Sequence, residues 1–328
     1  MKVDRPAIAC LGAGRMGRGI AVAFAYAGHA VTMIDVKARS AEQFETLEAD
    51  ALGEVTKTLA SLASFGLLKD TDVQTIMSRV SVVPATEGSA ALANAGLVFE
   101  GVPEVVELKR EVLAAASKSV GPDVIIASTT STILVNDLSG AVENPGRFLN
   151  VHWLNPAYLI PLVEVSPGAA TDPAVVVRVK DLLEGIGKVP VVCAARPGFI
   201  VPRIQALAMN EAARMVEEGV ASAEDIDKAI RFGFGFRYAV LGLLEFIDWG
   251  GGDILYYASR YLEGALGSER YRAPEVISRN MREGRIGLRT GAGFLDYSGL
   301  DVDAYRERRL SELVDMLRHF GLARPPVL

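Results

Sequence analysis

Residues 7–11 form a short apolar run that stops at a cluster of glycines, Gly12, Gly14 and Gly17. From residue 15 to 27 small and apolar side chains recur at helical spacing, and a second apolar run, 30–34, ends on Asp35. The order strand, glycine turn, helix, strand predicts a βαβ unit. Residues 40–79 are polar on one face and rich in helix formers, which predicts a pair of helices. Strand-like pieces return at 80–83, 97–99, 124–127 and 148–151, followed by a last helix at 172–185 and a last strand at 190–193. Such alternation predicts a mostly parallel sheet covered on both faces. Beyond about residue 197 the texture changes: 203–218 and 223–231 carry helical periodicity, strands stop, and a final helix at 303–321 leads into a Pro-rich tail at 324–328. The pattern predicts an α/β domain over 1–196 and a smaller all-α domain over 197–328.

Composition narrows the class. The chain has 328 residues, half of them apolar, so two domains with sizeable cores are expected. A net charge of −6 argues against nucleic acid and anionic membrane surfaces as partners. The two cysteines, Cys10 and Cys193, each sit in an apolar run read as a buried strand, which predicts inert thiols rather than a disulfide or a metal site. Residues 1–7 run at once into a strand with no apolar leader, and no apolar run is long enough to span a bilayer. A reduced, cytoplasmic protein is the expectation. The helical second domain is expected to pair with another copy as a homodimer, because one helical layer leaves an apolar face to cover.

Gly12-Ala13-Gly14-Arg15-Met16-Gly17 follows a strand, opens a helix and has Asp35 at the end of the next strand. That context makes it a dinucleotide fingerprint. Gly12 allows the tight turn, Gly14 lets the backbone approach a pyrophosphate held by the helix N-terminus, and Gly17 lets helix and strand pack. Asp35 would accept from the adenosine ribose hydroxyls and repel a 2′-phosphate, which favours NAD; Lys37 and Arg39 weaken that exclusion a little. The domain is thereby predicted to be of the Rossmann type.

Three histidines occur. His29 is expected in a surface turn beside Gly28, and His319 on the last helix, at its surface or a helix contact. His152 closes the strand-like run ending at Val151, at the sheet edge where such folds bind ligands. Twelve residues on, Glu164 lies among aliphatic residues in Pro161-Leu162-Val163-Glu164-Val165, where a carboxylate is costly unless paired. A histidine partner would be oriented and made a better base. Hydride loss from a secondary alcohol leaves a proton to remove, and a positioned base contributes roughly 10²–10⁴-fold.

With these residues in place, the chain resembles the 3-hydroxyacyl-CoA dehydrogenase family from the glycine loop to Tyr297. The most specific parts are Ser128-Thr129-Thr130-Ser131, His152-Trp153-Leu154-Asn155-Pro156, the run around Glu164, Pro197-Gly198-Phe199-Ile200-Val201 and Thr290-Gly291-Ala292-Gly293-Phe294. The resemblance implies that His152 is the catalytic base, that Glu164 is its partner and that Ser131 bonds the substrate oxygen near the nicotinamide. It implies cofactor contacts for Glu104, Lys109, Asn155 and Arg289. Glu104 and Lys109 could instead form a surface pair, and Asn155 could cap a turn.

Two departures bear on substrate. Pro202 stands where acyl-CoA members usually carry Asn, so one polar contact is missing or replaced. Gly233-Phe234-Gly235-Phe236-Arg237-Tyr238-Ala239 places Arg237 where the text resembles branches acting on free acids: L-gulonate dehydrogenase and lambda-crystallin, carnitine dehydrogenases and a pyridine-acid dehydrogenase. Arg237 would bind a substrate carboxylate bidentately or form a surface or interdomain salt bridge, and Arg231 is a weaker candidate for the same role. In the other direction, residues 40–79 and 285–291 resemble the acyl-CoA type. The expected reaction is reversible NAD-dependent oxidation of an L-3-hydroxyacyl substrate, a short acyl-CoA, with a free hydroxy acid as the alternative. A non-catalytic NAD-binding protein of the crystallin kind is opposed by the set Ser131, His152, Glu164 and Asn155. A decarboxylating β-hydroxyacid dehydrogenase is opposed by the lack of lysine between residues 207 and 224.

Overall fold

The computed structural model describes residues 5–327, so residues 1–4, where the sequence led to the expectation of a direct run into a strand, and the last residue of the Pro-rich tail lie outside the described residues. The chain divides into two compact units, one ending at Met209 and the other beginning at Asn210. The division falls inside one continuous helix, later than the texture change near residue 197.

The first unit is built on one eight-stranded sheet: β1 (Ile8–Leu11), β2 (Val31–Ile34), β3 (Val80–Val83), β4 (Leu97–Glu100), β5 (Ile125–Ser128), β6 (Phe148–Trp153), β7 (Leu162–Pro167) and β8 (Val189–Val192). The spatial order is β3-β2-β1-β4-β5-β6-β7-β8, and every pair is parallel except β6 with β7. The helices are α1 (Arg15–Tyr26), α2 (Ala41–Ser64), α3 (Asp70–Met77), α4 (Gly88–Ala93), α5 (Val106–Ser119), α6 (Val135–Ser139), α7 (Pro173–Gly185) and the start of α8 (Val201–Glu217). Strand side chains alternate between two cores. Ile8 and Cys10 join α1, α2, α3 and α7 on one face, while Ala9 and Leu11 join α4, α5 and α6 on the other. Because both faces are covered, β1, β4 and β5 are buried at every residue and read as continuous apolar runs. Ser40 starts α2 by exchanging side-chain and backbone bonds with Gln43, and Asp172 with Pro173 starts α7.

Two expectations need correction, and one apolar run given no element above proves to be a strand. His29 is buried, not a surface residue: its Nδ1 lies 2.9 Å from the Pro6 carbonyl and its ring meets Phe24 edge-on. Cys193 follows β8 rather than lying within it and is half-buried. The run around Glu164 is a strand, β7, antiparallel to β6. Cys10 is buried as expected, and burial pushes its thiol up to about 12. His319 is exposed on the last helix.

The second unit is helical: the remainder of α8, α9 (Ala223–Ala229), a π-helical turn at Ile230–Gly235, α10 (Phe236–Tyr238), α11 (Leu243–Gly250), α12 (Gly252–Leu266), α13 (Glu275–Arg282) and α14 (Val302–His319). Ser222 and Asp301 cap α9 and α14 by accepting backbone amides. Its buried cluster is small, Leu288, Tyr297 and Tyr305, beside the buried carboxylate Asp248. Asp248 accepts from the amides of Phe294 and Leu295 and from the Tyr297 hydroxyl, and so organises the turn carrying the motif at 290–294. No helix among the described residues is long and apolar enough to cross a membrane.

Candidate active site

The glycine loop links β1 to α1. Gly12 has φ +110°, and a Cβ on Gly17 would sit 2.2 Å from the Gly12 carbonyl oxygen, so helix and loop touch only because residue 17 has no side chain. A Cβ on Gly14 would meet nothing within 4 Å, which leaves open space in front of the loop. Gly14 is also the N-cap of α1 and supplies no side-chain cap, so the first-turn amides are free for an anion. Asp35 follows β2, buried, and accepts from the Lys37 amide at 3.2 Å and from Arg39 Nε at 2.6 Å. Arg39 is thus held by the same carboxylate that would read the ribose. Beside Asp35 lies a cavity of about 300 Å³ with apolar walls that include Leu11, Ile34, Val36, Leu92 and Val112. An open anion cradle, a ribose acid and an apolar slot fit an adenine dinucleotide.

A polar network, buried at Glu100, Lys109 and Ser128 and open to solvent at Glu104, lies at the carboxyl ends of β4 and β5. Lys109, 1% exposed, donates to Glu100 Oε1 at 2.8 Å and the Val102 carbonyl at 3.1 Å, and pairs with Glu104 Oε2 at 3.3 Å. Three acceptors match the three N–H groups of the ammonium. Ser128 Oγ donates to the other oxygen of Glu100 at 2.5 Å. Glu104 in turn accepts from the amides of Ser131 and Thr132, both at 3.1 Å, and from the hydroxyls of Thr130 and Thr132. Burial works to raise the Glu104 carboxyl, but these hydrogen bonds and the Lys109 charge outweigh it and hold the group below the usual glutamate range. The turn that presents Ser131 is therefore held by a carboxylate, which is itself held by a buried lysine. The amide of Ser131 is engaged, and its hydroxyl bonds no protein group among the described residues. Asn150 Nδ2 ties the same turn to β6 by donating to the Ile133 carbonyl at 2.9 Å.

His152 and Glu164 stand directly opposite each other on β6 and β7. His152 Nδ1 lies 2.8 Å from Glu164 Oε2. With a carboxylate as partner, Nδ1 is the donor of this contact and Nε2 is the ring nitrogen left outside it. Glu164 is fully buried, and its second oxygen accepts the amides of Ile200 and Val201, each at 2.8 Å. Three donors thus compensate a charge that would otherwise be too costly to bury. Under the hairpin, Trp153 packs against Phe24 and Phe99. Lys188 holds the hairpin's turn by donating to the carbonyls of Ala157 at 2.7 Å and Ile160 at 2.9 Å, and burial pushes its ammonium below the usual lysine range.

Asn155 is exposed on that turn and borders a cleft of about 280 Å³ with Arg15, Arg18, Glu54, Thr58 and Tyr158. Arg18 is tied to the Ala13 carbonyl and Glu54. Pro202 is the second residue of α8, where a missing N–H leaves no helix bond unmade. In the second unit Arg289 is exposed and paired with Asp253. Arg237 is also exposed: its Nε donates to the Gly233 carbonyl at 2.8 Å, its guanidinium lies 4.9 Å from the Phe246 ring centre, and no carboxylate pairs with it among the described residues. Arg231 lies over Phe232. The first unit brings together Gly12, Gly14, Gly17 and Asp35 at one end of the sheet edge, and Ser131, Glu104, Lys109, His152 and Glu164 farther along it. Sequence reasoning missed Glu100, whose position in the run Leu97-Val98-Phe99-Glu100 carried the same signal as Glu164, an acid among aliphatics. It also missed Arg15 as a wall of the Asn155 cleft.

The chain matches the family model "3-hydroxyacyl-CoA dehydrogenase, NAD binding domain" over residues 7–196 and the model "3-hydroxyacyl-CoA dehydrogenase, C-terminal domain" over residues 198–297. It is 32% identical over 318 residues to the 5-formyl-3-hydroxy-2-methylpyridine 4-carboxylate 5-dehydrogenase of Mesorhizobium japonicum, covering 95% of this chain and 97% of that protein. It is 32% identical to a probable 3-hydroxybutyryl-CoA dehydrogenase of Bacillus subtilis, over 87% of this chain and 95% of that one. Among solved structures, a 3-hydroxyacyl-CoA dehydrogenase from Archaeoglobus fulgidus superposes with a TM-score of 0.76 at 32% identity, covering 97% of this chain and all of that one.

Proposed function

The chain belongs to the 3-hydroxyacyl-CoA dehydrogenase family of NAD-dependent oxidoreductases, and we propose that it oxidises a short-chain L-3-hydroxyacyl-CoA reversibly to the 3-oxo compound. The observation that carries this reading is the buried 2.8 Å contact of His152 with Glu164 on the sheet edge that also bears the glycine loop. NAD, when bound, supplies the hydride acceptor. His152 Nε2 takes the hydroxyl proton, while Glu164 holds Nδ1 and stabilises the imidazolium that results. Ser131 donates its hydroxyl to the substrate oxygen. Gly12, Gly14, Gly17 and Asp35 hold the dinucleotide, with Asn155 and Arg289 as further contacts. Glu104 shapes the nicotinamide side, and Lys109 acts through Glu104, since its own donors are engaged. Arg15, in the cleft beside Asn155, supports a phosphate-bearing substrate such as a CoA ester.

A second reading takes a free hydroxy acid or small carboxylate as substrate. It is favoured by Arg237, which has no carboxylate partner among the described residues and is pre-oriented on Phe246. The test is NADH consumption with acetoacetyl-CoA and, in parallel, with free acetoacetate and related oxo acids, using wild type and Arg237→Ala. Efficient reduction of the CoA ester with little effect of the substitution supports the first reading. Turnover of free acids alone, abolished by the substitution, establishes the second. The proposal also makes the enzyme a cytoplasmic homodimer; exposed Leu244, Ile254, Tyr257 and Tyr261 on α11 and α12 support the pairing.

A further inference from the structure

We propose that Phe199 is a positioning residue for His152, stacking on its imidazole so that Nε2 keeps one direction, and that Glu164 anchors ring and stack together. The inference rests on the reading of His152 as the base.

The two rings are nearly parallel, with centroids 5.2 Å apart and planes inclined by 16°, and both side chains are buried. Phe199 reaches this place at a conformational cost. Its φ is +44°, and among the described residues it is the one non-glycine with positive φ. Side chains other than glycine avoid this region, and a bulky residue held there marks a surrounding structure that over-determines it. Burial alone does not explain the conformation, since a phenylalanine can be buried with an ordinary backbone.

What holds the turn is Glu164. Its Oε1 accepts the amides of Ile200 and Val201, the two residues after Phe199, and its Oε2 takes His152 Nδ1. Pro202 has no amide, so the grip ends there. One carboxylate thus sets the imidazole with one oxygen and the segment delivering Phe199 with the other. The hydrogen bond at Nδ1 restrains the imidazole at that atom but leaves the ring plane free to tilt about the contact. A flat aromatic surface against one face removes that freedom. The effect belongs to turnover rather than to cofactor binding, because misplacement of a reacting group slows the chemical step.

The test uses the full-length enzyme with Phe199→Leu, Phe199→Tyr and His152→Gln. We expect kcat of Phe199→Leu to fall roughly 10–100-fold with KM for NADH unchanged, and Phe199→Tyr, which keeps the ring, to retain most of the activity. In the NMR spectrum of the wild type the ring protons of His152 should lie upfield through the ring current of Phe199. That measurement tests the stack even if Phe199→Leu does not fold, and the kcat of Phe199→Tyr beside wild type then tests what the stack does for turnover. Wild-type kcat in a folded Phe199→Leu enzyme, equal loss in both Phe199 variants, or unshifted His152 resonances would each overturn the proposal. An active His152→Gln enzyme would remove the base assignment itself; an inactive one beside an unimpaired Phe199→Leu enzyme removes the positioning role alone.

Discussion

In the first unit β4 and β5 are buried along their whole length, and the charges that lie among them, Glu100 and Lys109, have a full set of partners, as does Glu164 on β7. In the second unit α10 and α12 contain no buried residue, Tyr257 and Tyr261 stand 63% and 73% exposed, and Arg237 lacks a carboxylate partner among the described residues. The two regions divide the work. Complete burial makes an unpaired charge prohibitive, so the groups proposed to move the proton in the first unit are fixed in geometry. Incomplete burial leaves the second unit with apolar surface to cover and a cation available to a ligand.

The largest expected effect tests the fixed side of this contrast. His152→Gln should lower turnover by roughly 10²–10⁴-fold, while calorimetric titration shows unchanged NADH affinity. Next comes the contrast in packing. Phe99→Ala should cost about 3–5 kcal/mol in a urea titration, because its ring is enclosed by Phe24 and Trp153. Tyr257→Ala, measured at a concentration where the chain is monomeric, should stay within about 0.5 kcal/mol of wild type. A comparable loss there would mean that the second unit has a core of its own under Tyr257. Tyr257→Asp should shift the sedimentation coefficient from dimer to monomer; no shift would move the pairing surface elsewhere.

A smaller effect concerns Glu104. Its carboxyl is held below the usual glutamate range in the folded chain, so its contribution is fully present above the unfolded value and is lost as pH falls through the folded one. The Tm gap between wild type and Glu104→Gln should therefore narrow across that acid window. A gap constant with pH would show that the carboxylate's charge adds nothing. The smallest signal is an absence: with its thiol pushed up to about 12, Cys10 should escape alkylation at neutral pH until the protein unfolds.

Much of the first unit was legible in the sequence because each β-strand there is a short apolar run closed by a turn signal, and the glycine loop adds a steric requirement at fixed spacing. β7 was not, because residues 161–165 look the same as a buried loop or strand until their partner is known. The His152–Glu164 pair could be inferred from the cost of an acid among aliphatics, but the strand register that enforces it could not. Lys109, expected to touch the cofactor or else to form a surface pair, is buried on Glu100, and nothing local announces that Glu100 would turn inward beside it. The stack of Phe199 on His152 depends on a left-handed backbone set by two distant amide contacts, and no residue pattern carries that. In the second unit helices were evident, yet the π-helical turn before Arg237 has no periodic signature.

The hairpin of β6 and β7 also separates what evolution or a designer can alter from what is locked. Successive strand residues face opposite ways, so a one-residue slip in either strand would send Glu164 or His152 to the other side of the sheet. The segment joining the strands carries no such constraint. It meets the rest of the unit through two backbone carbonyls gripped by Lys188, a contact indifferent to side-chain identity, and through Ala157, which is buried in the core against Gly19. Only the exposed part of that turn is accordingly open to change with the strand register kept, and Ala157 is as tightly fitted as the strands themselves.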